Sequence, residues 1–383
     1  MSAQQHYHGE YGWSELCKFL DKIEAKKILL VTGNQMYRSS GAKDSLEIVL
    51  GHRQALHLTC IQSNPRAEDA DALLGQIDNK TSYQAIIAVG GGSVIDTAKL
   101  LKAFWRAKQT ILEGVDQTQT ADLCPGSLPL IAVPTTAGSG SEATRFAVVY
   151  KNKKKYSVEH DALLPDLAVV IPSLLKSVPA KIAAASGVDA LCQGIESLWS
   201  IHSTEESRQF ARDAITLAWQ WIEEAVNERS PQALDHMAKA SHLAGCAINI
   251  TKTTAPHAIS YPMTSYYGIT HGHAVGLLTS RFLEFNAGVS EGDCLDPRGP
   301  AWVKERLDEI AGMLNANTGQ SAAQALTKKL NDIGLETDLG ELGIDGAQNV
   351  EAIIGSGLDP ARLNNNPRDV DVGSVRDMLA VAS

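Results

Sequence analysis

The sequence predicts an α/β domain built on a parallel sheet, followed by an all-α domain. Two observations carry this. In the first half, short apolar, β-branched runs end at Gly or Pro and alternate with helical stretches, as strand–helix–strand units of a parallel sheet do. Beyond about residue 175 such runs give way to successive long helical stretches. A length of 383 residues fits two domains, set here at 1–175 and 176–383.

The elements follow in order. Ile28-Leu29-Leu30-Val31 stops at Thr32-Gly33, Ala85-Ile86-Ile87-Ala88-Val89 at Gly90-Gly91-Gly92, and Leu130-Ile131-Ala132-Val133 at Pro134-Thr135-Thr136. Leu167-Ala168-Val169-Val170-Ile171 stops at Pro172. Runs of this kind read as strands buried on both faces. Helices are expected over Asp69–Ile77 and Ser93–Ala107 in the first domain. In the second they are expected over Pro179–Ser200, Glu205–Asn227, Pro231–Asn249, Ala301–Asn315 and Gly319–Ile333. Pro179 suits the first turn of its helix, where no N–H is needed. The basic run Lys151–Lys155, interrupted by Asn152, reads as a solvated hairpin or loop.

Composition excludes several classes. There are 34 basic and 44 acidic residues, a net charge of −10, and no long basic run, so nucleic acid is not an expected partner. No stretch approaches 18 uninterrupted apolar residues, so no membrane-spanning helix is expected. Met1–Glu10 is polar and has no apolar core of a secretory signal. Cys17, Cys60, Cys124, Cys192, Cys246 and Cys294 are scattered without a C-x-x-C, which fits reduced thiols in a cytoplasmic enzyme.

Four constellations carry chemistry. Gly90-Gly91-Gly92-Ser93, with Asp96 and Lys99 following, joins a strand to a helix. Small residues and a helix N-terminus there suit a phosphate, or simply a tight turn. Pro134-Thr135-Thr136 through Gly140 to Glu142 and Thr144 is a second loop at a strand end, suited to a polar ligand or to plain solvent exposure. Asp189 and Gln193 stand four apart on one helix face, with Glu196 near it, as cation ligands or as a helix-surface group. His257, His271 and His273 crowd one Gly- and Pro-punctuated segment, and histidine is the commonest transition-metal ligand.

Together these motifs resemble the iron-containing (group III) alcohol dehydrogenases along nearly the whole chain. The quoted features are Gly-Gly-Gly-Ser-x-x-Asp-x-x-Lys, Pro-Thr-Thr-x-Gly-x-x-x-Glu-x-Thr, Gly-x-Asp-Ala-Leu, the paired histidines and a closing Asn366-Pro367-Arg368. The resemblance implies a dinucleotide-binding domain, a helical domain and a divalent metal, Fe²⁺ or Zn²⁺, in the cleft between them. It implies metal ligands Asp189, His257 and His271, with Gln193 where the family has a fourth, histidine ligand. Gly91, Gly92, Ser93, Asp96, Thr135, Thr136 and Lys155 fall at cofactor positions. Gly33 stands where NAD-selective members often carry an Asp, and Arg38 and Ser39 follow it, which implies NAD(P)H with NADPH favoured. Tyr261 takes the place of a family proton-relay histidine, and His273 is a second proton-donor candidate. A homodimer is implied.

The segment from Lys252 to Val275 is similar to the phosphonoacetaldehyde reductases of phosphonate biosynthesis. The expected reaction is hydride transfer to an aldehyde that carries a phosphonate, with Arg145, Lys252, Thr254 and Ser265 offering positive charge and hydrogen bonds to the dianion. Lys252 and Arg145 also read as ordinary helix and hairpin charges. The alternatives are another member of the family acting on a short-chain alcohol, lactaldehyde or a semialdehyde; a cyclase like dehydroquinate synthase; or a non-catalytic binding protein.

Overall fold

The computed structural model of the chain describes residues 4–60, 64–107, 109–115, 128–152, 154–358 and 360–380. Met1, Cys124 and Lys153 lie outside them. The chain divides into two compact units, Met1–Val178 and Pro179–Ser383.

The first unit holds strands β1 (Gln5–His8), β2 (Lys27–Gly33), β3 (Gln54–Cys60), β4 (Ala85–Gly90), β5 (Leu130–Pro134), β6 (Phe146–Lys151), β7 (Lys154–Glu159) and β8 (Leu167–Val170). Its helices are α1 (Gly12–Lys22), α2 (Gln35–Ser39), α3 (Ala42–Leu50), α4 (Ala67–Leu74), α5 (Gly92–Phe104) and α6 (Ile111–Gly114). Six strands form one sheet in the order β1-β8-β5-β4-β2-β3, every pair parallel. The fold class is the one the sequence predicts. Along β2 the side chains alternate between faces, as a strand requires. Ile28 and Leu30 join the core beside Leu16, Leu20 and Leu46, while Leu29 and Val31 join Val94, Ile95 and Leu101 on the other face.

The two edge strands were not expected from sequence. The edge strands β1 and β3 carry exposed residues and lack a continuous apolar run. Lys151, Lys154 and Lys155 of the basic run lie on the antiparallel β6–β7 hairpin, the hairpin setting expected for them, and Ala147, Val149 and Val158 of that hairpin pack with Leu100 and Phe104 of α5. The sheet order has a consequence for binding. After β2 the chain moves outward to β3, then returns to the opposite side of β2 as β4. The progress of the sheet therefore reverses at the carboxyl ends of β2 and β4, the place where open α/β sheets form a crevice for ligands.

The second unit holds helices α7 (Ala180–Trp199), α8 (Glu205–Asn227), α9 (Pro231–Thr251), α10 (Ala255–Tyr267), α11 (His271–Ala287), α12 (Pro300–Met313), α13 (Gly319–Asp332), α14 (Gly346–Gly357), α15 (Pro360–Leu363) and α16 (Val372–Leu379). Among its described residues the only strand-like pairing is an isolated bridge, Cys294 to Arg368. Pro179 is the cap of α7 and not its first helical residue, because its ψ of 141° is extended. Thr204, Ser230 and Thr318 cap α8, α9 and α13 with their hydroxyls. Helix α7 is the centre of the unit: it packs against α8, α9 and α11, and Val188, Leu191, Ile195 and Trp199 are fully buried. Among the described residues no cysteine is in a disulfide, and no helix is long and apolar enough to cross a membrane.

Candidate functional site

In the first unit the two small-residue loops are built against each other. The Thr135 amide donates to the Gly90 carbonyl at 3.0 Å. A Cβ on Gly91 would come within 3.1 Å of the Thr136 hydroxyl, and one on Gly92 within 2.8 Å of Ser139 Cβ. The approach at Gly92 requires glycine, and the one at Gly91 leaves little room for a larger residue. The glycines thus have a packing reason to be there whether or not a ligand is bound. They also leave the N-terminus of α5 bare, where the first N–H groups have no intrahelical acceptor. Thr135 is fully buried, and its hydroxyl has no hydrogen-bond partner among the described residues. A bare helix end beside an orphaned buried hydroxyl fits a phosphate-bearing cofactor.

The charged residues of the same motif point inward. Asp96 accepts from the Ser141 hydroxyl at 2.5 Å and from the Val148 amide at 3.0 Å. Burial pushes its carboxyl pKa up, against the Lys99 ammonium. Lys99 is itself fully buried. Its Nζ lies 2.6 Å from the Ser141 carbonyl, 2.9 Å from the Thr144 hydroxyl and 2.9 Å from the Phe146 carbonyl. Burial lowers its pKa to about 8. Asp96 and Lys99 therefore brace α5 against the second loop and β6. Lys155, on β7, adds positive charge close enough to Asp96 to help keep it ionised.

Gly33 ends β2. Immediately after it, α2 carries Arg38 and Ser39, both exposed, which line an open hollow of about 770 Å³ with Asn34 and Gln35. The Arg38 guanidinium has no hydrogen bond or ion pair among the described residues. Its charge and the burial of His57 together lower the His57 pKa, burial contributing more.

In the second unit three helices bring Asp189 (α7), His257 (α10) and His271 (α11) together, with one ligand atom from each lying within 4.8 Å of the others. Asp189 and His257 are 6% and 4% exposed, so these polar groups are removed from bulk water. One carboxylate and two imidazoles form a donor set suited to a first-row divalent cation. His257 Nε2 sits 3.2 Å from Asp189 Oδ1, while its Nδ1 is hydrogen-bonded to Glu196 Oε1. The other Glu196 oxygen accepts from the Thr254 amide at 2.7 Å and from its hydroxyl at 2.8 Å, and Trp199 Nε1 donates to that hydroxyl at 3.0 Å. A carboxylate behind a histidine fixes which ring nitrogen stays available to a metal. Burial favours neutral His257, but Glu196 and Asp189 outweigh it and raise the pKa to about 10. Ser260 Oγ lies 3.4 Å from His271 Nδ1. Gln193, one turn after Asp189, is 3% exposed.

The spacing of these helices depends on a glycine. A Cβ on Gly272 would overlap the Ala185 carbonyl and come within 2.8 Å of Asp189 Cβ. Helix α11 thus begins in backbone contact with α7, beside the metal-ligand candidates. Sequence reasoning missed Gly272 as a site residue, and it placed Glu196 beside Asp189 and Gln193 without its role behind His257.

The candidate proton donors part company. The Tyr261 ring stacks on His271, with centroids 5.9 Å apart and planes 29° from parallel. His273 instead places its Nε2 2.6 Å from the Glu336 carbonyl and is buried there. Among the substrate candidates, Arg145 is paired with Glu159 at 3.2 Å and Asp161 at 3.5 Å in the first unit, the hairpin-charge reading of that residue. The amide and hydroxyl of Thr254 both donate to Glu196. Lys252 caps α9, and Ser265 lies on α10 one turn beyond Tyr261.

Residues 3–172 match the family described as iron-containing alcohol dehydrogenase, and residues 183–383 match the C-terminal domain of the Fe-containing alcohol dehydrogenase family. The chain is 34% identical to the phosphonoacetaldehyde reductase of Streptomyces viridochromogenes over 84% of this chain and 82% of that one. It is 30% identical to long-chain-alcohol dehydrogenase 1 of Geobacillus thermodenitrificans, over 87% and 84% of the two chains. A solved structure of sulfoacetaldehyde reductase from Bifidobacterium kashiwanohense in complex with NAD⁺ superposes with a TM-score of 0.87 at 27% identity, covering 99% of this chain and 96% of that one.

Proposed function

The chain belongs to the iron-containing alcohol dehydrogenase family and is an oxidoreductase, and we propose that it reduces phosphonoacetaldehyde to 2-hydroxyethylphosphonate with NAD(P)H. The reductase chemistry is carried by the Asp189–His257–His271 cluster with Glu196 behind it. The substrate is supported by the relative that is 34% identical over 84% of the chain. Sulfoacetaldehyde is the second reading, supported by the structural neighbour of that specificity.

When bound, a divalent metal and a nicotinamide supply a Lewis acid for the carbonyl and a hydride for its carbon. The residues then divide the work. Asp189, His257 and His271 hold the metal, with Gln193 as an adjoining oxygen donor. Glu196 keeps the proton on His257 Nδ1, so that Nε2 offers its lone pair. Tyr261, stacked on His271, provides the proton that the alcohol oxygen takes up. Gly91, Gly92 and the α5 N-terminus receive the pyrophosphate, and Thr135 offers its buried hydroxyl.

NADPH is the favoured form. No carboxylate stands at Gly33 to repel a 2′-phosphate, and the exposed Arg38 guanidinium is available to pair with one. The proposal extends to a cytoplasmic homodimer, supported by the scattered cysteines and by the family resemblance.

The test is oxidation of NADPH and NADH with phosphonoacetaldehyde, sulfoacetaldehyde, propanal and succinate semialdehyde, with metal analysis of the same preparation. Phosphonoacetaldehyde with NADPH is expected to give the highest kcat/KM. A higher value for propanal overturns the substrate, and a strong NADH preference overturns the cofactor assignment.

A further inference from the structure

We propose that Lys252 and Arg362 together recognise the charged tail of the substrate, a tetrahedral oxyanion of the phosphonate or sulfonate class. The inference rests on the aldehyde-reductase reading above and replaces part of the anion site expected from sequence. Two of those expected residues are engaged elsewhere: Arg145 with two carboxylates, and the Thr254 donors with Glu196.

Lys252 is held in an unusual backbone conformation. Its φ is 58° and its ψ 179°, whereas a left-handed helix cap has ψ near 47°. That combination belongs almost wholly to glycine. The segment is nonetheless tightly fixed: the Lys252 amide donates to the Ile248 carbonyl at 2.8 Å, and its carbonyl accepts from the Thr251 hydroxyl at 2.8 Å. A side chain kept at a position where glycine would be easier implies a use for that side chain.

Arg362 supplies the second charge. It lies on α15, which packs against α10, the helix that carries His257. Its Nη1 donates to the Thr253 hydroxyl at 3.3 Å, and it has no carboxylate partner among the described residues. Asn365 holds the Thr253 carbonyl at 3.0 Å, so both flanks of the turn are pinned. Lys252 precedes Thr253 directly, and Arg362 bonds to it.

The location suits a small bifunctional substrate. Lys252 lies in the turn between α9 and α10, two residues before Thr254, which bonds to the Glu196 carboxylate that also holds His257. In phosphonoacetaldehyde one methylene separates the aldehyde carbon from phosphorus. On this proposal a group bound at the Asp189–His257–His271 cluster extends its oxyanion toward that turn and its two long cationic side chains. Arg offers a planar fork for two oxygens and Lys a mobile point charge, a combination matched to a dianion.

The experiment uses full-length wild type, Lys252→Gly, Arg362→Leu and Arg362→Lys, with melting temperature and kinetics measured on each. Methylphosphonate and methylsulfonate serve as inhibitors against propanal. Lys252→Gly is expected to melt at or above wild type, because glycine relieves the backbone. The kcat/KM ratio of phosphonoacetaldehyde to propanal is expected to fall by about tenfold or more in Lys252→Gly and Arg362→Leu. Arg362→Lys is expected to recover part of it. Methylphosphonate should inhibit wild type and fail against both truncations, with methylsulfonate the weaker inhibitor; the reverse order assigns the site to sulfonate. If wild type prefers phosphonoacetaldehyde and the truncations keep that preference, the pair is wrong and the substrate stands. If wild type shows no preference and neither inhibitor acts, both the substrate reading and the pair fail.

Discussion

The two units handle buried charge in opposite ways. In the first, Asp96 and Lys99 face partners inside the fold. The carboxylate is satisfied by Ser141 and Val148, and the ammonium by Ser141, Thr144 and Phe146. Asp96 and Lys99 are spent on the fold, and the candidate cofactor surface beside them is backbone exposed by glycine together with the Thr135 hydroxyl. In the second unit, Asp189, His257 and His271 point at a common place, and the outer carboxylate Glu196 steadies one of them. Recognition there depends on side chains. The charged residues of one motif thus brace the fold, while those of the other form the candidate site.

The largest effect should come from removing a ligand in the second unit. His257→Ala or His271→Ala is expected to lose bound metal and at least about a hundredfold in kcat/KM, beyond what loss of an outer-shell partner costs. Metal content by mass spectrometry and turnover check this. An active, metal-free double variant would erase the contrast between the units.

Paired glycine replacements probe the spacing. Gly272→Ala forces a methyl group into the α7–α11 contact and should cost about 1–3 kcal/mol in stability, with metal lost on dialysis. Gly92→Ala meets Ser139 at its Cβ as well as its hydroxyl and so displaces the second loop, and its expected signature is a raised KM for the nicotinamide with metal content unchanged. Equal metal loss in both variants would mean that the two regions do not divide the work as described.

The smallest effect is a pH dependence in the first unit. Burial lowers the Lys99 pKa from its ordinary value near 10.5 to about 8. Below pH 8 both folded and unfolded chains carry the proton, and the folded chain bears the full cost of burying the charge. Between about pH 8 and 10.5 the unfolded chain binds more protons, so this contribution moves toward stability as pH rises. Denaturant titrations from pH 7 to 10 should therefore show wild type gaining on Lys99→Met, which lacks the titrating group. A flat difference would place the charge in contact with water.

What could be read from sequence follows the same division. The central strands β2, β4, β5 and β8 are buried on both faces and appear as apolar runs. The edge strands β1 and β3 are half solvated, so Gln5–His8 and Gln54–Cys60 lack that mark. Asp189, His257 and His271 were legible because their motif resembles a known family. The bracing role of Glu196 was not, since it exists only once α7 lies against α10, 61 residues away along the chain at His257. Arg362 stands in no recognised motif, and its hydrogen bond to Thr253 spans 109 residues. Arg145 shows the converse: a cation that reads as a ligand-binding group in sequence can meet its carboxylates by folding two strands into a hairpin.

The backbone contact at Gly272 also bears on how such a site can change over time. An imidazole or amide at position 193 alters the affinity for a metal while leaving the helices where they are. Any side chain at 272 moves the helices themselves, and with them every ligand at once. Drift and engineering alike have more freedom with the candidate ligand groups than with the glycine that sets their separation. Gln193 then reads as a permitted variation in an otherwise fixed frame.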